Sequence, residues 1–406
     1  MRATMLGMAL DISKLAEKID ALGVESARRQ IELQRRWPDV QAKWQEASAN
    51  QITLREQAEK TAKRFRWAGA IPTHEPIASH IPAPARVAHL TVIGADGSQI
   101  YPNRHSLTLY YILNFGALIF RYGVENKVPG EKTYGQLYYE EKDLLDDEGG
   151  LITAEMVNAQ RSIGELALLA ELAATEAQTT PTVTLLDNGL LLYLAWREQK
   201  PKFAERVTEN YLRQLDELRN TTAALAGITD RPRSANLLRL LHLFGLPTEP
   251  KTDADLRLGR DWRGLTDAVF FADLPPGHRS ALFMFAGPDN LHQYQPRGHG
   301  IYFFFLNASH TPHQPHLLRV EVPEWVALNP SLLELAHAAI YAQCQMLNGF
   351  PYVLARADQL AVVSETERKA IEERVARALI QNGLPVAFSL KQQQKTLTRS
   401  VKGKYR

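Results

Sequence analysis

The stretch Leu90-Thr-Val-Ile-Gly-Ala-Asp-Gly-Ser-Gln99 decides how the rest of the chain is read. Leu90 to Ile93 is a short apolar, β-like run, and Asp96 follows it with Gly97 and Ser98 immediately after. The reading is a strand that ends at an acidic residue and turns at the glycine. A strand end puts a side chain at the lip of a sheet, where a carboxylate can face a metal ion or a substrate. Asp-Gly-Ser is also ordinary turn composition. The tripeptide therefore gains a chemical meaning only if other carboxylates are brought to it.

A second stretch repeats the pattern. Val183-Thr-Leu-Leu186 is β-rich and closes on Asp187-Asn188-Gly189. Between the two lies the best-defined helix of the chain, Thr153 to Gln178. Thr153 is its expected N-cap, and Pro181 bounds its other end. From Ile163 to Ala174 nearly every residue is apolar except Glu165 and Glu171. A helix apolar on most faces is buried. A carboxylate inside it is costly unless it is paired, metal-bound, or able to reach solvent at the helix edge. A strand–helix–strand unit favours parallel neighbours in one sheet. That would bring Asp96 and Asp187 together at adjacent strand ends.

Three β-like runs open this region: Val87–Ala95, Leu107–Phe115 and Ala117–Tyr122. The last two are read as consecutive antiparallel strands, and the charged segment Glu140–Glu148 as a surface loop. A late aspartate, Asp358, lies in the apolar run Leu354–Val362. The order is strand Asp, β-hairpin, helix Glu, strand Asp, late Asp. It matches the layout of RNase H-like nucleases and predicts an α/β fold: an RNase H-like mixed sheet flanked by helices, with an N-terminal helical extension. Asp96, Glu165, Asp187 and Asp358 are the candidate catalytic and metal-binding set. Their oxygen ligands suit manganese or magnesium. Two such ions about 4 Å apart can activate water and stabilise the leaving oxygen in phosphodiester hydrolysis.

Three regions are expected: a helical extension over 1–80, a nuclease domain over 87–390 and a basic tail over 391–406. Leu15, Ile19 and Leu22 recur at helical spacing. The next run, Ala27 to Ala47, carries Arg28-Arg29, Arg35-Arg36 and a Pro38 expected to kink or restart it. Ile52–Trp67 is a third polar helix, so these helices should pack on a partner subunit or on the core. Pro72, Pro76, Pro82 and Pro84 mark a linker. Further on, Arg231 and Arg233 precede a helix over Ala235–Phe244. Two arginines at a helix N-terminus suit an anion such as phosphate, although surface arginines in a turn are common. The β-like runs Ala281–Ala286, Gly300–Asn307 and Leu317–Val322 form further strands or a small β subdomain. Helices are expected over Pro330–Leu347 and Glu365–Gln381, with Val386–Leu390 and the basic tail beyond the second.

The chain has 406 residues and a formal net charge of +2, so bulk charge does not announce nucleic-acid binding. Local charge is uneven: from Lys391 to Arg406 there are six Lys/Arg and no acidic residue, a tail that is either solvated or follows a phosphate backbone. No uncharged apolar run reaches membrane length, and the N-terminus lacks a small-residue cleavage signal. The single Cys344 excludes an internal disulfide and a cysteine zinc cluster, and points to a reducing, cytoplasmic setting.

The ordered set of segments resembles the NurA nuclease family. The resemblance runs from Asp96-Gly97-Ser98 through Arg161…Glu165, Leu185-Leu-Asp187 and Asp230-Arg-Pro-Arg-Ser234. It continues in Arg319-Val-Glu-Val-Pro-Glu-Trp325 and ends at Phe350-Pro-Tyr352…Ala357-Asp358. It implies a manganese-favouring DNA nuclease that acts 5′ to 3′ on single strands and cuts them internally. It also implies homodimers whose central channel accepts DNA, and a partnership with the hexameric HerA translocase in DNA-end processing. The polar N-terminal helices become candidates for dimer or HerA contacts. The family's ligands map to Asp96, Glu165 and Asp187, with Glu171 as the alternative helix ligand. Two positions depart from the family: Phe350 stands where a tyrosine is expected, and Asp358 where a histidine is. Phe350 cannot donate a hydrogen bond, so Tyr352 is the candidate to replace it, and with Arg231 and Arg233 it makes the expected DNA-binding set. The departures leave a second reading, a non-catalytic DNA-binding or scaffold subunit. An actin-like ATPase, which also uses Asp-Gly turns, would need a second phosphate turn and a late Gly-Gly segment that this sequence lacks.

Overall fold

A computed structural model describes residues 12–103, 108–123, 128–311 and 315–384. The strands are β1 (Ala70–Pro72), β2 (His80–Ile81), β3 (Leu90–Ile100), β4 (Tyr111–Tyr122), β5 (Gly130–Tyr138), β6 (Thr182–Leu186), β7 (Ala224–Asp230), β8 (Arg279–Ser280), β9 (Phe283–Phe285), β10 (Ile301–Asn307) and β11 (Leu317–Pro323). The α-helices are α1 (Ala16–Ala49), α2 (Gln51–Arg64), α3 (Glu141–Leu144), α4 (Ala154–Glu176), α5 (Pro201–Asn220), α6 (Asn236–Phe244), α7 (Glu324–Ala327), α8 (Pro330–Cys344), α9 (Tyr352–Ala361) and α10 (Glu365–Gln381).

All the strands join one sheet, in the order β1-β9-β10-β11-β7-β6-β3-β4-β5, with β2 and β8 attached beside β10. The β3-β4-β5 meander is antiparallel, whereas β6 runs parallel to β3 and β7 parallel to β6. This is the RNase H-like order, with the first strand central and the post-helix strand beside it. The later β runs extend the same sheet rather than forming a subdomain.

Alternate residues of the central strands feed two cores. Val92, Val183, Leu185 and Ala226 face the layer built from α1, α2, α6, α8 and α9. Ile93, Ala95, Leu186 and Leu225 face α4 and α5. The near-continuous apolar runs of β6 and β7 follow from burial on both faces.

Two strands differ from the sequence reading. β3 does not turn at Gly97 but runs on to Ile100, and β4 is one strand through Gly116 rather than two. The hairpin is β4–β5. Asp96 and Gly116 are directly paired across the ladder. A Cβ at Gly116 would lie 2.5 Å from the Ala361 nitrogen and 2.7 Å from the Ala357 oxygen, so this glycine lets α9 cross the sheet at close range.

The N-terminal region also departs. α1 continues through Pro38, and its later part buries Val40, Trp44 and Ala47. Trp44 lies 4.4 Å from Phe270, ring to ring. Leu54 and Ala58 of α2 are fully buried in the same core. The proline-marked stretch contributes β1 and β2 to the sheet. Thr153 caps α4 as expected, accepting from the Met156 N–H at 3.3 Å, and α10 occupies the expected span. Val386–Leu390 and the basic tail lie outside the described residues. No described helix is long and apolar enough to cross a membrane.

Candidate active site

β6 pairs with β3 only as far as Leu186, which sits opposite Ala95. Beyond that point β3 continues alone on this side, while β6 ends and releases its chain at Asp187. Asp96 is therefore the first residue of β3 past the end of its neighbour. The lip of the sheet lies at the end of β6, in the middle of β3.

α4 packs across β3 and delivers Glu165 to this lip. A Cβ at Gly97 would stand 2.7 Å from Arg161 Cγ and 2.8 Å from Glu165 Oε1. Gly97 is thus needed as clearance for the α4 side chains, not as a turn. Asp358 comes from α9, which contacts both β3 and β4. The structure brings Asp96, Glu165, Asp187 and Asp358 together from four elements.

Their electrostatics report the convergence. Glu165 is buried, and burial pushes its carboxyl up to about 8, with Arg161 opposing and Asp96 and Asp187 adding to the rise. Asp187 reaches solvent, yet partial burial, then Asp96, Asp358 and Asp230, raise it to about 6. Asp96 is also raised, first by burial and then by Asp358, against the Gly97 N–H and Arg161. The Gly97 N–H donates to Asp96 Oδ1 at 2.8 Å. Like charges gathered in a partly dry site call for a counter-ion.

Arg161 supplies only part of one. Its Nε lies 3.1 Å from Glu165 Oε1, but the two are not aligned for hydrogen bonding, and both atoms are buried without a partner. Arg161 Nη1 instead donates to Gln99 Oε1 at 3.2 Å. Among the described residues, no three acidic, histidine or cysteine side chains are placed so that together they could hold a metal ion. The donor set nevertheless fits a hard divalent cation: it is all oxygen, it carries excess negative charge, and one buried carboxylate oxygen is unsatisfied.

Glu171 is not part of the site. Its side chain is 66% exposed and pairs with Lys132, which removes it as the alternative ligand. The arginine pair also stands differently from expectation. Arg231 and Arg233 are exposed, but the α6 N-terminus beside them is already occupied. The N–H groups of Asn236, Leu237 and Leu238 donate to the fully buried Asp267 carboxylate at 2.8–3.1 Å, so those amides are closed to a phosphate. Tyr352, at the start of α9, packs edge-to-face on Phe120.

Two acidic residues went unpredicted. Asp230, at the end of β7, adds to the charge on Asp187 and is held at 2.7 Å by His316 Nε2. Glu321, buried in β11, reaches the chain just after Asp187. Asp230 repeats the strand-end pattern of Asp187, so the same signal could have found it.

The NurA domain family model matches residues 90–363, a span of two-thirds of the chain within which all four carboxylates lie. The chain belongs to the NurA family. Membership supports a nuclease, a hydrolase of phosphodiester bonds. Among solved structures, the chain is similar to Drosophila Piwi (TM-score 0.29, 14% identity, 68% of this chain and 29% of that one). It is similar also to A. aeolicus Argonaute (TM-score 0.29, 9% identity, 68% and 28%). A third is LC9-RNase H1, a type 1 RNase H with the type 2 active-site motif (TM-score 0.19, 14% identity, 41% and 72%). The chain spans less than a third of the Piwi and Argonaute chains. The RNase H-like assignment of this NurA chain rests on its strand order. No curated protein matches the sequence.

Proposed function

We propose that the protein is a divalent-metal-dependent DNA nuclease, using manganese or magnesium, that processes DNA ends as a homodimer with a HerA-like hexameric ATPase. Its expected activities are 5′ to 3′ exonuclease and single-strand endonuclease cleavage. The observation that carries the reading is the convergence of Asp96, Glu165, Asp187 and Asp358 at the point where β6 leaves β3.

Asp96, Glu165, Asp187 and Asp358 would hold the ions. When bound, a pair of divalent cations supplies an activated water and stabilises the leaving oxygen of an in-line displacement. The protein's part is to present the oxygens in fixed positions. Asp96 is oriented by the Gly97 N–H, and Arg161 is braced on Gln99 beside Glu165. Arg231, Arg233 and Tyr352 are the proposed DNA contacts. The two arginines would act through their side chains alone, because the α6 amides are occupied.

The purified protein should degrade single-stranded DNA in a manganese or magnesium series and fail with chelator, and Asp187→Asn should lose at least about 100-fold of the rate, in line with removal of one strong charge-stabilising contact. The second reading, a scaffold subunit that binds DNA without cutting it, is motivated by Phe350 and Asp358 at the family's tyrosine and histidine positions. Manganese-soaked crystals separate the two: an anomalous peak between Asp96 and Asp187 belongs to the nuclease, and its absence to the scaffold.

A further inference from the structure

We infer that Glu321, held by Arg319, is a positioning residue that fixes the chain segment carrying Asp187. Its importance for catalysis rests on the nuclease reading of Asp187. After β6 the chain passes through Asp187, Asn188 and Gly189 to Leu190. The Leu190 N–H donates to Glu321 Oε2 at 2.8 Å. Glu321 Oε1 accepts from Arg319 Nε at 2.9 Å, and Arg319 Nη1 donates to Asn236 Oδ1 at 3.0 Å. The Arg319 guanidinium also lies over the Phe303 ring, 3.7 Å from its centroid. Arg319 and Glu321 are only 6% and 7% exposed.

The turn packs directly against this carboxylate. A Cβ at Gly189 would lie 2.8 Å from Glu321 Oε2, so the backbone rests directly on the acid. Beyond it, Tyr211 Oη donates to the Leu190 carbonyl at 2.9 Å, and the Leu192 N–H donates to Tyr294 Oη at 2.9 Å. The strand end thus passes into an irregular segment whose polar backbone groups are tied to β11, α5 and Tyr294.

Stability is a poor explanation for the buried pair. Replacing such a pair by apolar groups of similar volume is often neutral or stabilising. Its location explains it better: Glu321 joins the buried Arg319 and Asn236 to the turn beside Asp187. Groups that orient ligands in this way commonly govern metal affinity by 10- to 100-fold.

The test compares two full-length double variants, Arg319→Met/Glu321→Gln and Arg319→Met/Glu321→Leu. Both remove the buried charges, but only glutamine keeps an oxygen for the Leu190 N–H. Hydrogen exchange at the Leu190 amide is measured in metal-free protein, and Mn2+ binding by spin-resonance titration. The glutamine variant should stay within about threefold of wild type in both. The leucine variant should exchange on the order of tenfold faster and bind Mn2+ about 10- to 100-fold more weakly. Identical exchange and identical Mn2+ affinity in the two variants overturn the inference. If a double variant does not fold, Gly189→Ala decides: it leaves both charged residues in place and should loosen the same amide, and wild-type exchange in it overturns the clamp. If wild type binds no Mn2+ at the carboxylates, the nuclease reading fails, while the exchange comparison still judges the clamp.

Discussion

Gly97 does more for this site than its place in an Asp-Gly-Ser turn would indicate. It lies inside β3, and the space a side chain would fill holds Arg161 and Glu165. Gly97→Ala should therefore leave the strand in place and push Glu165 away. We expect at least about a 100-fold loss of nuclease rate, as for a misplaced catalytic group, measured beside a circular-dichroism spectrum that stays native. Glu165 itself tests the charge balance. Its folded-state carboxyl is raised to about 8, chiefly by burial, so the native state binds a proton that the unfolded chain has released. That contribution to stability is complete below the ordinary carboxylate range and is lost as pH rises toward 8. Metal-free Glu165→Gln, which stays neutral, should therefore melt higher than wild type at pH 8 while losing activity. Burial of an incompletely paired charge sets the scale, about 1–3 kcal/mol. A lower melting temperature for Glu165→Gln at pH 8 would show that the Glu165 charge is not a burden on the fold.

At the scale of elements, α9 is held against β3 and β4 by absent side chains. A methyl at Gly116 would meet the backbone of α9 at 2.5–2.7 Å, and backbone cannot swing aside as a flexible side chain can. Gly116→Ala should cost about 1–3 kcal/mol by overpacking, read from denaturant melts, and should also weaken activity by displacing Asp358. The same element explains what was legible in the sequence. α4 was readable because its cap, its length and its apolar character are local, and β6 because its β-rich run is. β3 and β4 were cut short because glycine is a turn signal locally. At Gly97 and Gly116 it instead makes room for helices from distant parts of the chain. The α6 amides were expected to face a phosphate and are occupied instead, for a similar reason. Asp267, which occupies those amides, lies 29–31 residues away in sequence. Glu321 was unreadable because an acid in an apolar strand shows its purpose only once Leu190 is beside it.

For the whole molecule, one sheet carries both the nuclease-like half and the β7–β11 half, and the carboxylates stand within the first of these, beside the junction of the two. The N-terminal helices are not a free-standing extension in their later part, since Trp44 and Leu54 are core residues. Ile19, Leu22, Val24 and Ile31 of α1 remain exposed. On the proposed nuclease reading, the charge cluster makes cation affinity depend on pH. Glu165 and Asp187, raised to about 8 and about 6, must shed protons before they bind metal. Apparent Mn2+ affinity should therefore rise steadily from pH 6 to 8, and calorimetric titration should record proton release on binding. An affinity independent of pH over that range would argue against these carboxylates as ligands. Whether Asp96 stands in the middle of a metal-dependent nuclease site is decided by a nuclease assay on single-stranded DNA with manganese, comparing wild type with Asp96→Ala. Wild type should cleave, and a folded Asp96→Ala should show no detectable cleavage; undiminished cleavage by that variant would rule out Asp96 as a site residue.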